Sequence, residues 1–184
     1  MSQAPPDRRE LDDLYVLVYE ELRRLAAVIR RSEGSGALTL SPTALVNEAW
    51  LKLSSSPHLA RSSRTHFKRL AGRAMRQVLV EAARRRAARK RGGDDGHAAV
   101  LVAFDETIDR AGSTGLSSRQ LLALDSALHD LGRLHPRQAA VVEGRFFGGL
   151  ENAELAEVIG VSPSTVGGDW RMARAWLSAQ LREP

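Results

Sequence analysis

Apolar residues recur at steps of three and four along most of this chain, and strand signals are nearly absent. On a 3.6-residue helix that spacing puts the apolar side chains on one stripe, so the pattern predicts an all-α fold. The first stripe holds Leu11, Leu14, Tyr15, Val18, Leu22, Leu25, Ala26 and Ile29, and places a helix from about Asp7 to Arg31. A polar loop, Ser32 to Thr39, ends it.

Ser41-Pro42 supplies an N-cap residue followed by proline at the first helical position, where the missing amide hydrogen costs nothing. The helix this predicts, about 42 to 53, buries Leu45, Val46, Ala49 and Leu53. After a serine-rich loop, Thr65 is the expected cap of a third helix, about 66 to 90, with Phe67, Leu70, Ala71, Ala74, Met75, Val78, Leu79 and Ala82 inward and its arginines outward. Glycines punctuate residues 92 to 116, which read as a linker; the apolar run Val100 to Phe104 is its exception. Shorter helices follow. Ser117 or Ser118 caps one, Pro136 opens the next, and Asn152 to Ile159 stops at Gly160 before Ser162-Pro163 opens the last, which runs to about Leu181. The expected organisation is two small helical domains, 1–91 and 117–184, joined by the flexible linker 92–116, with a helix-turn-helix in the second.

Charge is uneven. The net value is +5, but residues 61 to 91 hold 12 of the 27 Lys and Arg side chains and a single acid, Glu81. Such a block suits nucleic acid phosphates, since each neutralised phosphate releases condensed counterions. A solvated helix face is the plainer reading, and the lack of interspersed acids for i,i+4 pairing fits it poorly.

In the last helix, Val166, Trp170, Ala173 and Leu177 form the inward stripe, leaving Ser164, Thr165, Gly167, Gly168, Arg171 and Arg174 outward. The N-terminal residues of a helix-turn-helix's second helix approach base edges in the major groove, so these six are the expected readers. Gly167 and Gly168 offer no side chain there, and each costs a helix roughly 0.8–1 kcal/mol relative to alanine. Asp169 adds a negative charge that the helix dipole partly favours.

Taken in order, several segments carry a resemblance: Tyr19-Glu-Glu-Leu-Arg-Arg-Leu-Ala26, Thr43-Ala-Leu-Val-Asn-Glu-Ala-Trp-Leu-Lys-Leu53, His66-Phe67, Leu79-Val-Glu-Ala82 with its basic tail to Gly93, Arg145-Phe-Phe-Gly-Gly-Leu150, Ser162-Pro-Ser-Thr-Val166 and Asp169-Trp-Arg-Met-Ala-Arg-Ala-Trp-Leu177. The chain resembles a bacterial RNA polymerase sigma factor of the extracytoplasmic-function (ECF) type. That resemblance implies core RNA polymerase and promoter DNA as partners. Leu45, Asn47, Glu48, Trp50 and Lys52 would meet the polymerase clamp. His66, Lys68, Arg69, Arg73, Arg76, Arg84 and Arg85 would meet the minus-10 element, and the last helix the minus-35 element, with its other face toward the polymerase flap. The function implied is promoter recognition and initiation of DNA-templated transcription, with no catalytic residue.

Two departures from the family pattern stand out. Members usually carry two basic residues where this chain has Gly167-Gly168, and many carry acids at the start of the clamp-binding segment, where Leu40 to Val46 has none. A phosphate supplies about 1.5–2 negative charges, and Thr65, beside Ser62, Ser63, Arg61 and Arg64, is the candidate phosphosite. Its plainer role is that of a capping threonine. An anti-sigma factor or a Ser/Thr kinase is the regulator the resemblance suggests.

Other classes find little in the sequence. Cysteine is absent, the five histidines show no metal-ligand pairing, and no phosphate loop or nucleophile elbow is present, so neither cofactor nor metal is expected. No apolar run reaches the roughly 20 residues that span a bilayer, and the opening residues lack a signal-peptide core, which predicts a soluble, cytoplasmic protein. Trp170 is expected in the core, and Trp50 and Trp176 in the core or at a partner surface. Two alternatives remain: a helix-turn-helix repressor or activator acting without polymerase, and a protein-binding module that no longer reads DNA.

Overall fold

The computed structural model describes residues 6–30, 40–55, 59, 62–89 and 116–181. They form seven helices and, among the described residues, no strand: α1 (Pro6–Arg30), α2 (Pro42–Ser54), α3 (Arg64–Arg89), α4 (Ser118–Leu134), α5 (Pro136–Phe146), α6 (Asn152–Ile159) and α7 (Pro163–Gln180). The all-α expectation is met. The expected loop 32–39 and residues 92–115 of the expected linker lie outside the described residues.

Each helix start has a local cause. Ser41 Oγ accepts from the Ala44 amide at 3.0 Å with Pro42 in the first turn. Ser117, of the two expected candidates, caps α4 in a reciprocal box with Gln120: the Gln120 amide donates to Ser117 Oγ at 3.3 Å, and the Ser117 amide donates to Gln120 Oε1 at 2.7 Å. Ser162 Oγ accepts from the Thr165 amide at 3.1 Å ahead of Pro163. The cap of α3 differs from expectation. Ser63 Oγ accepts from the His66 amide at 3.2 Å and the Ser63 carbonyl accepts from the Phe67 amide, so Thr65 sits inside the first turn, half-buried. A helix that starts two residues earlier puts the hydroxyl of Ser63, and not that of Thr65, over the free amides.

The α1, α2 and α3 helices pack on one another, and α4 to α7 form a second group. Helix α3 also packs against α4, α5 and α6, so the buried side chains of both groups make one continuous cluster. The junction is close. Leu116, at the head of the second group, is buried and donates its amide to the Ile29 carbonyl of α1 at 3.2 Å. Gly72, in mid-α3, faces the turn after α5, where a Cβ on it would fall 2.6 Å from the Cα of Gly148. Phe146 and Phe147 lie beside this crossing, fully buried and edge to face at 4.7 Å.

Candidate nucleic-acid interface

Helix α3 presents three stripes. Phe67, Ala71, Ala74, Met75, Val78, Leu79 and Ala82 are buried, as their spacing predicts. A second line, at steps of four, runs Lys68, Gly72, Arg76, Val80 and Arg84. The third, also at steps of four, is Arg69, Arg73, Gln77, Glu81 and Arg85. Side chains four apart stand on one helix face, so the seven basic candidates are split between different surfaces.

The second line faces the acids of α4, α5 and α6. Lys68, only 5 % exposed, reaches Glu154 of α6 at 3.1 Å and Glu21 of α1 at 3.2 Å. Arg76 donates through Nε to Asp125 at 3.0 Å, through one terminal nitrogen to Glu143 at 2.9 Å, and through the other to the Asp125 carbonyl at 3.2 Å. Arg84 stands 3.5 Å from the second Asp125 oxygen. Burial pushes the Glu154 carboxyl up, but the Glu151 amide, Lys68 and nearby Arg64 outweigh it and hold the group below the ordinary glutamate value. Arg64 also pairs with Glu21. On the third line Arg73 and Arg85 are exposed, Arg69 is half-buried, and Glu81 is taken by Lys52 of α2 at 2.9 Å. His66 is half-buried in the first turn.

Helices α6 and α7 are joined by Gly160, Val161 and Ser162. Gly160 has φ +78°, the left-handed conformation that its lack of Cβ permits. Val166, Trp170, Ala173 and Leu177 are buried as expected, and the Arg145 guanidinium lies 4.8 Å over the Trp170 ring. Ser164 and Arg171 are exposed; Thr165 and Arg174 are half-buried. The hydroxyls of Ser164 and Thr165 each lie 2.8 Å from Ser162 Oγ. Helix α7 continues through Gly167 and Gly168. A Cβ on the first would come no closer than 3.7 Å to Asn152, and one on the second would meet nothing within 4 Å. Packing does not require either glycine.

Asp169, expected only to add a negative charge near the helix start, is 6 % exposed, and its two oxygens accept from Arg137 Nε at 2.6 Å and from a terminal nitrogen at 3.1 Å. That pair ties α7 to α5 and raises the Arg137 pKa above the ordinary arginine value.

The residues expected at the polymerase clamp divide in the same way. Leu45 is completely buried and supports α2 from beneath, because its side chain faces α1 and α3 within the core. Asn47 and Glu48 are exposed, and Trp50 is half-buried with its ring stacked on Tyr15 at 4.5 Å. Tyr15 donates to Asn47 Oδ1 at 2.8 Å, and burial, aided by Tyr19, pushes its pKa up to about 12. Exposed Leu51, on α2, and exposed Val16 and Leu17, on α1, were not singled out by the sequence. Nor were Asp125, Glu143, Glu154 and Arg137. The one signal that pointed to the three acids was indirect: a helix with many arginines and a single acid needs carboxylates from elsewhere.

Among the described residues no helix is long and apolar enough to cross a membrane, and no group of three or more His, Asp or Glu could hold a metal ion. The sequence profile of the ECF sigma factor family matches residues 5–183. No curated protein and no solved structure matches the chain.

Proposed function

The chain belongs to the family of ECF sigma factors, and on that premise we propose that it binds core RNA polymerase and recognises promoters through two separate surfaces. Residues 1–91 form the part that meets the clamp through the exposed side of α2 and the minus-10 element through the basic stripes of α3. Residues 117–184 form the part that meets the minus-35 element and the flap, with 92–116 between them. The observation that carries the reading is the family match over nearly the whole chain, falling on a structure with one strongly basic helix and a second helix entered through a tight glycine turn.

In this reading α6, the turn at Gly160 and α7 act as a helix-turn-helix. Ser164, Thr165 and Arg171 at the start of α7 approach phosphates or bases, and Arg174 follows one turn later. The pair Gly167-Gly168 leaves the middle of that surface without side chains, which makes minus-35 binding weak and leaves more of promoter recognition to α3. An anti-sigma factor or a kinase acting at Thr65 would regulate the same activity.

In vitro transcription with core polymerase tests the reading, run beside Gly167→Lys/Gly168→Arg. The wild type should direct initiation at defined start sites. The double variant, at positions where a Cβ meets no clash, should gain affinity on promoters with a minus-35 element. Its binding should grow more salt-dependent, the log–log slope steepening by about 0.9 per added phosphate contact. No initiation by the wild type, with a footprint from the free chain on a palindromic duplex, would favour the polymerase-independent repressor.

A further inference from the structure

We propose that Tyr15 of α1 is a positioning residue for polymerase binding: its hydroxyl holds the side-chain amide of Asn47 on α2 in one orientation, with the amide's two N–H bonds turned outward to meet the polymerase. The proposal rests on the reading of the exposed side of α2 as the clamp surface, and it makes α1 part of what shapes that surface.

The first support is Asn47 itself. Asparagine is a poor helix former, and at an exposed position in the middle of α2 it does less for the helix than alanine would. Its side chain is what the position has to offer. Oδ1 accepts from the Tyr15 hydroxyl at 2.8 Å, and among the described residues the side chain makes no other hydrogen bond. An amide held by its oxygen presents its nitrogen on the other side, so both Nδ2 donors are left for water or a partner. Leu51, one turn further along and 62 % exposed, stands on the same face of α2. An oriented donor beside an exposed apolar side chain combines the two kinds of contact that protein interfaces use.

The second support is that Tyr15 is itself held. Its ring stacks on Trp50 of α2 with centroids 4.5 Å apart and planes 23° from parallel, and Tyr19 meets it edge on at 5.5 Å. The three rings bridge α1 and α2, which keeps the phenol beside Asn47. Stacking needs the ring and not the hydroxyl, so phenylalanine would serve the packing equally. The hydrogen bond lies at the exposed edge of the pair, where water competes for both partners, and it adds little to folding. Its consequence is to fix a side chain that would otherwise sample several rotamers and lose that freedom on binding. Burial, aided by Tyr19, keeps the phenol protonated far above neutral pH, so the donor is always present.

Tyr15→Phe keeps the stack and removes only the hydroxyl. It should leave the thermal midpoint nearly unchanged and weaken binding to fluorescently labelled core RNA polymerase by about two- to tenfold, the effect of one freed side chain. Asn47→Ala should weaken binding at least as much. Because the hydroxyl acts through the amide, Tyr15→Phe/Asn47→Ala should bind no more weakly than Asn47→Ala alone. In the free chain, NMR of the Asn47 side-chain amide should show an ordered group in the wild type and a mobile one in Tyr15→Phe.

The proposal is overturned if Tyr15→Phe binds polymerase as tightly as the wild type while Asn47→Ala binds less tightly, the result expected of a tyrosine that serves the fold alone. Losses that add in the double variant also overturn it, since they mean that Tyr15 meets the polymerase directly. So does an Asn47 amide equally mobile in the wild type and Tyr15→Phe. Undiminished affinity in Asn47→Ala removes instead the reading of α2 on which the proposal rests.

Discussion

Asp169 carries a negative charge within the first two turns of α7, and its spacing alone permits either an outward position over the helix dipole or an inward one. The folded chain settles on the inward position because Arg137, the second residue of α5, reaches both carboxylate oxygens. Neither residue's role was legible, since a pair 32 positions apart leaves no periodic trace. Asp169→Ala removes the tie and leaves the Arg137 head to solvent. Its thermal midpoint should fall by roughly 2–4 °C, the shift that about 1 kcal/mol produces in a chain of this size. Asp169→Asn, which keeps the shape and part of the hydrogen bonding, should fall less. Equal midpoints for all three proteins would show that the pair does not hold α7 to α5.

Helix ends were largely legible because a cap is local chemistry. Ser41-Pro42, Gly160 and Ser162-Pro163 all act where the sequence placed them, and of the two serines expected to cap α4 it is Ser117 that does so. The exception was α3, where Thr65 was the expected cap and the backbone path chose Ser63, two residues before it. Within α7 the glycine pair is a deficit of the element itself. A Cβ would make an ordinary contact with Asn152 at Gly167 and meet open space at Gly168, so Gly167→Ala/Gly168→Ala should stabilise the protein by up to about 1 kcal/mol per site, measured by denaturant unfolding. The same double variant should leave the salt dependence of DNA binding unchanged, because alanine adds no charge. A rise in DNA affinity equal to that of the Lys/Arg pair would mean that helix stability, and not missing contacts, limits binding.

At the scale of the whole molecule the arrangement of the two helix groups depends on carboxylates that must be ionised. Glu154 faces Lys68 and Arg64 of α3, and Lys68 is shared with Glu21 of α1. Because the Glu154 pKa is lowered in the folded chain from its ordinary 4.5, its contribution is fully present above that value and is lost as pH falls through the lower, folded one. The distance between labels on the two groups should therefore hold steady near neutrality and lengthen below about pH 4.5, with Glu154→Gln removing part of the acid transition. A distance insensitive to acid would show that the pair does not help to hold the seam. The sequence by itself determined the helices, their inward stripes, most of their caps and the basic character of α3, because each of these is written in residues three or four positions apart. Only the tertiary structure decided which basic side chains face water and which face Asp125, Glu143 and Glu154, and why a glycine stands at Gly72 in mid-α3. Those contacts join positions 41 to 86 residues apart, and no local rule relates residues at that distance.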